Sequence, residues 1–306
     1  MFQFLIALSP ANNSIFKVDI ADGTASVLVS GVGDFPDGVT VGPDRQYFYW
    51  TNMGAPTVID GHSPPKSDRD LEFYAKNASL ERASVDGGDR AVVLPVGSFV
   101  TGKQVTGDWP AGRLYWSDRE GAAVRSARLD GSDLRAEVIV AITDEQRRQL
   151  RNQCVGVAVD EVNGYLYWTQ KGPPKGDDGR IFRTALNRGD EDPSDRSIEV
   201  LWSGLPEPID LSLDLAERTL YWTDRGAPPL GNTLNRADIP AAGQPGGDVT
   251  QLSSGYHEAI GLAVDKAART VYIGDLSGEI SAIGLDGAGE RTVAKVPGGI
   301  TGIAGL

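Results

Sequence analysis

The chain has 306 residues, 40% of them hydrophobic, and a formal net charge of −13. That acidic surplus argues against nucleic acid and anionic membrane surfaces as partners, and a single cysteine, Cys154, excludes a disulfide framework within the chain. No run approaches the ~20 apolar residues of a membrane-spanning helix.

The chain opens on the apolar strand Phe4-Leu5-Ile6-Ala7-Leu8. Residues 2–8 lack the basic flank of a secretion signal, so they are read as structure and the protein is expected to be cytoplasmic. A unit then recurs along the chain. It begins with an apolar stretch ending in an acid, such as Val155-Gly156-Val157-Ala158-Val159-Asp160, followed by a short turn. Next comes an aromatic run: Tyr49-Trp50-Thr51-Asn52, Tyr115-Trp116-Ser117-Asp118, Tyr167-Trp168-Thr169-Gln170 and Tyr221-Trp222-Thr223-Asp224. Fainter copies are Tyr272-Ile273-Gly274-Asp275 and Leu5-Ile6-Ala7-Leu8. After a variable loop comes a segment such as Leu80-Glu81-Arg82-Ala83-Ser84-Val85-Asp86-Gly87, and a last apolar run closes the unit.

Four β-like runs separated by turn chemistry make a four-stranded antiparallel blade. A blade cannot bury both faces alone, so the six copies predict an all-β, six-bladed β-propeller spanning residues 1–306 as one domain. The first unit lacks an inner strand, and Ile300-Thr301-Gly302-Ile303-Ala304-Gly305-Leu306 reads like one. The C-terminal strand is therefore expected to complete the first blade and close the ring.

In a propeller, the loops joining second to third strands share one face with those leading to the next blade. Insertions fall there: 53–77, with His62, Pro64-Pro65 and the charged run 66–70; 171–179; and 225–232. Between blades three and four, residues 143–150 predict a single helix with Thr143 as N-cap. Turns on the opposite face are expected to be short, about four residues each. Long loops gathered on one face of a rigid scaffold point to a site.

Both histidines, His62 and His257, map to that face, and His257 follows Tyr256 just before an inner strand. Aligned inner strands give a column of Gly38, Gln104, Gly156, Asp210, Gly261 and Gly302, with Lys103 beside Gln104. Either Gln104 and Asp210 carry chemistry, or they hydrogen-bond neighbouring strands across the channel. A second column, after the aromatic runs, reads Met53, Arg119, Lys171, Arg225 and Leu276. Its cations either polarise a substrate oxygen or pair with Asp118 and Asp224. The four motif tryptophans are read as packing between blades, and Cys154 as a buried structural thiol. Nucleophile elbow, phosphate loop, paired-histidine zinc motif and dinucleotide fingerprint are all missing, so no cofactor and no metal is expected.

The Tyr-Trp-Thr-Asp copies, with the (Ile/Leu)-x-Arg-Ala-x-(Leu/Val)-Asp-Gly segment after them, resemble the six-bladed propeller of low-density-lipoprotein receptors along essentially the whole chain. Those propellers are flanked by cysteine-rich modules that this sequence does not contain, which turns the expectation away from an extracellular receptor. More narrowly, the chain resembles free-standing fungal propellers of secondary-metabolite pathways, among them hetero-Diels–Alderases. That resemblance implies joining a tropolone-derived quinone methide to a humulene-type sesquiterpene alkene, with small apolar substrates and a monomer or homodimer. In this reading His257, Asp210 and Arg225 are catalytic, and Gln104, Lys103, Lys171, Arg119, His62 and Tyr256 contact substrate. Two alternatives remain. One is a metal-dependent lactonase-like hydrolase with Asp37, Asn152, Asp210 and Glu258 as oxygen donors. The other is a non-catalytic, protein-binding propeller.

Overall fold

Aromatic and β-branched residues suit a pleated surface, and the aromatic runs form strands buried on both sides. In the structure, a computed structural model that describes residues 1–59, 61–63 and 70–306, each run is the second strand of a four-stranded antiparallel sheet. Blade two, for example, comprises Pro36–Val41, Tyr47–Asn52, Ala78–Ser84 and Ala91–Phe99. Blades three to six place Arg113–Asp118, Tyr165–Gln170, Thr219–Asp224 and Thr270–Asp275 in the same position. The fold is the six-bladed propeller that the repeat predicts. Among the described residues no helix is long and apolar enough to cross a membrane.

Closure follows expectation: Gly302–Gly305 pairs with Phe4–Ser9 as the inner strand of blade one. The register corrects one detail. Leu8 lies opposite Gly302 as Gly274 lies opposite Gly261, so Ile6-Ala7-Leu8-Ser9, rather than Leu5-Ile6-Ala7-Leu8, is the first copy of the motif. A one-residue slip exchanges the faces of a strand, and blade one carries no aromatic marker to pin it.

Alternation sends the Tyr and Trp of one copy to opposite faces. Tyr49 therefore shares a hydrophobic cluster with Trp116 of the next blade, Tyr115 with Trp168, and Tyr167 with Trp222. Ile6 meets Trp50, Tyr221 meets Ile273, and Tyr272 meets Ala7. The core is thus six inter-blade layers around an axis. All four motif tryptophans are buried and their indole nitrogens have no hydrogen-bond partner among the described residues, so their contribution is packing.

The third motif position ties neighbouring blades together. Thr51 Oγ1 donates to Lys103 O at 2.7 Å, Thr169 to Ile209 O at 2.8 Å and Thr223 to Ile260 O at 2.5 Å. Inner strands crowd the axis so closely that a Cβ at Gly38 would sit 2.3 Å from Lys103 O, and one at Gly156 2.1 Å from Ile209 O. This crowding explains the glycine column.

Several connections differ from expectation. The helix is a single turn, Asp144–Arg147, and a 3-10 turn follows at Leu150–Asn152. Thr143 does cap it, in a reciprocal pair with Gln146. Two opposite-face turns, 186–198 and 239–249, are long because they pack back on neighbouring strands. Arg183 donates to Pro240 O and Ala241 O, Trp202 to Gly247 O, and Arg196 to Glu137 O. The 53–77 insertion carries an unanticipated two-stranded hairpin, Thr57–Val58 with Leu71–Glu72. Pro64-Pro65 and the run 66–69 lie outside the described residues.

Candidate functional site

On the elaborated face, the residue preceding the glycine column on every inner strand points into the channel mouth. Asp37, Lys103, Val155, Ile209, Ile260 and Thr301 form the floor of a cavity of about 390 Å³. The residue following each motif copy supplies a second ring nearer the rim: Pro10, Met53, Arg119, Lys171, Arg225 and Leu276. Phe35, Leu71 and Phe73 add to the wall, the last two from the blade-two insertion, with Ala11 and Gly299 at blade one's rim. The volume is that of a small-molecule site.

The two rings divide the cavity. Val155, Ile209, Ile260 and Leu276, from blades four to six, form one apolar patch. Among the described residues four cations face it or flank it, each with a carboxylate nearby. Arg119 Nε donates to Glu120 Oε1 at 2.6 Å, Arg225 Nε to Glu207 Oε1 at 2.8 Å, and Lys103 Nζ to Asp37. Lys171 Nζ donates to Gly172 O at 3.1 Å and stands 3.5 Å from Glu207 Oε1. Glu120 and Glu207 are buried behind the wall and do not line the cavity. The Arg119–Glu120 and Arg225–Glu207 pairs therefore turn their positive ends inward, whereas Asp37 lines the floor beside Lys103. The partners are Glu120 and Glu207 rather than Asp118 and Asp224: Asp118 pairs with Arg125, and Asp224 accepts N–H bonds from Glu207 and Gly226.

Burial perturbs several of these groups. The Lys171 amine is pulled down to about 8, chiefly by desolvation and then by the Arg225 charge, with Glu207 opposing. Desolvation also lowers Lys103, against the pull of Asp37. Asp210 lies among the inner strands, and burial, reinforced by Asp37, lifts its carboxyl well above the ordinary range.

Of the nine residues expected from sequence to be catalytic or to contact substrate, the cavity brings together Lys103, Arg119, Lys171 and Arg225; the other five do not line it. Gln104 bridges two blades instead: its Nε2 donates to Leu211 O at 2.8 Å, and its Oε1 accepts from Val157 N and Leu211 N at 2.7 and 2.9 Å. The His257 backbone N–H donates to Asp275, leaving an imidazole that is 78% exposed. Tyr256 bonds Ser253 and Glu290, and His62 bonds Asp70 at 2.6 Å.

The oxygen donors considered for a metal do not converge either. Asp37 is held by Lys103, and Asn152 donates to Gln146 O. Among the described residues no three His, Cys, Asp or Glu side chains gather into a potential metal site.

Sequence reasoning overlooked most of the floor, because the glycine column drew attention one residue too far along each strand. It also overlooked Glu120 and Glu207. The signal for the floor was present, since glycine recurring at one position marks crowding there and leaves the flanking position to face open space.

Comparison with known proteins places this geometry in context. No family model matches the chain. A Pyricularia oryzae protein named low-density lipoprotein receptor-related protein 1 is 42% identical over 289 residues, covering 90% of this chain and 87% of that protein. A Cochliobolus heterostrophus protein named 3-hydroxyacyl-CoA dehydrogenase-like protein LAM1 is 34% identical across 88% of this chain, which spans only 56% of that relative's length. Among solved structures, a chain of a nidogen/laminin complex superposes with a TM-score of 0.73 at 17% identity, covering 98% of this chain and 97% of that one. That likeness is one of fold.

Proposed function

This chain belongs to the YWTD β-propeller family of low-density-lipoprotein-receptor-related proteins, and we propose that its elaborated face is the active site of a small-molecule biosynthetic enzyme of the pericyclase type. The reaction is a hetero-Diels–Alder cycloaddition of a tropolone-derived quinone methide with a humulene-type sesquiterpene alkene. One observation carries the reading: inward-facing cations, anchored from behind by buried carboxylates, stand beside a continuous apolar patch in one cavity.

Such a reaction needs no covalent bond to the protein. The alkene adds across the oxygen and the terminal carbon of the heterodiene, forming one C–O and one C–C bond while the π electrons shift inward. The Val155–Ile209–Ile260–Leu276 patch holds the alkene, so the freedom lost in bringing two reactants together is lost on binding. Arg119, Lys171 and Arg225 donate to the heterodiene oxygen, where negative charge grows as the bonds form. The carboxylates behind Arg119 and Arg225 fix those two donors before substrate arrives, so little reorganisation is needed during reaction.

The test is chromatography and mass spectrometry of purified protein with a humulene alcohol and a hydroxymethyl tropolone, which gives the quinone methide by loss of water, beside boiled and chelator-treated samples. One stereochemically defined adduct, formed faster than background and indifferent to chelator, is expected. Equal rates with boiled and native protein overturn the reading.

A further inference from the structure

Of the four cations that line the cavity among the described residues, three have a carboxylate oxygen in direct contact: Lys103 has Asp37, Arg119 has Glu120 and Arg225 has Glu207. Lys171 differs. Its nearest carboxylate oxygen is 3.5 Å away and is the one that Arg225 Nε already occupies at 2.8 Å. Among the described residues its shortest contact is a neutral carbonyl, Gly172 O at 3.1 Å, and its bond to Glu207 is at the long limit. The side chain is 5% exposed and lines a cavity whose floor carries an apolar patch. An amine that is buried, poorly paired and next to a second cation is the arrangement that favours the neutral, nucleophilic form.

We propose that Lys171 is a carbonyl-capturing amine that forms a reversible imine with an apolar aldehyde or reactive ketone bound in the cavity. The neutral Nζ adds its lone pair to the carbonyl carbon, and the C–O π pair takes the amine's proton to give a carbinolamine. Loss of water then leaves a C=N bond. Arg225, which shares Glu207 with Lys171, is placed to polarise the carbonyl oxygen during addition. The apolar patch formed by Val155, Ile209 and Ile260 selects for an apolar carbonyl compound. The groups that set the amine's charge are Arg225 and Arg119 against it, Glu207 and Glu120 for it, and desolvation above all. Below about 8 the charged form acts as a donor, and above it the neutral form captures carbonyls. This activity does not depend on the cycloaddition.

The experiment is reductive trapping. Native protein is incubated with biphenyl-4-carboxaldehyde and cyanoborohydride, then analysed by intact mass and peptide mapping. Lys175 on the same loop and Lys266, both exposed, serve as internal references. At about pH 7, Lys171 is expected to label faster than either by at least about tenfold, because a lowered pKa raises its neutral fraction by more than that. Lys171→Arg should lose that label and no other, and biphenyl-4-methanol, which has no carbonyl, should slow it by competition. Labelling of Lys175 or Lys266 as fast as Lys171, or a silent Lys171, overturns the proposal. Either result leaves the cycloaddition assay unaffected, so the two readings fail separately.

Discussion

Replacing Lys171 by methionine should make the protein more stable while impairing its site. The amine sits near 8 in the fold against 10.5 when free, so it stays charged at neutral pH at an energetic cost set by burial. That displacement corresponds to about 3 kcal/mol. Methionine has a similar length and adapts to apolar surroundings. Glu207 keeps Arg225 as its partner, so no buried carboxylate is orphaned. Lys171→Met is therefore expected to gain roughly 2–3 kcal/mol in urea unfolding at about pH 7. The pH dependence identifies the cause. The folded amine releases its proton before the unfolded one, so between about 8 and 10.5 the unfolded state binds more protons. Wild-type stability should then rise with pH across that window, and the advantage of the variant should close. A variant less stable than wild type at neutral pH, or a difference that does not change across the window, would refute the account.

Other outcomes follow from the same geometry. Arg119→Met and Arg225→Met should each lower the cycloaddition kcat by about 10²-fold with little change in KM, as expected of donors that act on developing charge. Wild-type turnover should fall as pH rises through about 8, when Lys171 loses its proton; a flat profile would remove Lys171 from the donor set. Asp224, buried without the arginine that Asp118 has in Arg125, is lifted to about 7 by desolvation. Its folded carboxyl keeps a proton that the unfolded one releases near 3.8, so that contribution is present in acid and lost as pH rises through about 7. Asp224→Asn should flatten this fall, by up to ~4 kcal/mol, in unfolding measured by circular dichroism. Deleting 302–306 removes the inner strand of blade one, with buried Ile303 and Leu306, and exposes the edge of Phe4–Ser9. Aggregation or a large loss of Tm is expected in light scattering and thermal melts.

The ring of blades is legible in the sequence because each motif letter answers a demand that every blade makes. Tyr and Trp fill two different inter-blade layers, Thr laces one blade to the next, and glycine stands where inner strands touch. Blade one is the exception. Without aromatics, Ile6-Ala7-Leu8-Ser9 satisfies the packing but hides the register. The candidate site is less legible because period does not reveal parity. Gln104 and Asp210 break the glycine column and so attract attention, yet that column lies against neighbouring strands, and Gln104 spends its amide on bridging two of them. The cavity belongs to the column one residue earlier, where Lys103 and Asp37 stand among apolar neighbours.

His257 illustrates a second limit. Its position before an inner strand puts it on the right face, but the backbone N–H is taken by the motif acid Asp275 and the ring turns outward. The motif acids are engaged in this way throughout. Asp118 caps Thr101 N, and Asp224 caps Glu207 N and Gly226 N. Committed to these turns, they leave Arg119, Lys171 and Arg225 to find carboxylates in loop residues outside the repeat. The repeat's own letters therefore build the ring, whereas the chemistry peculiar to this chain resides in the residues just beside them. Substitutions at Glu120 and Glu207 should consequently change the site more than they change the fold.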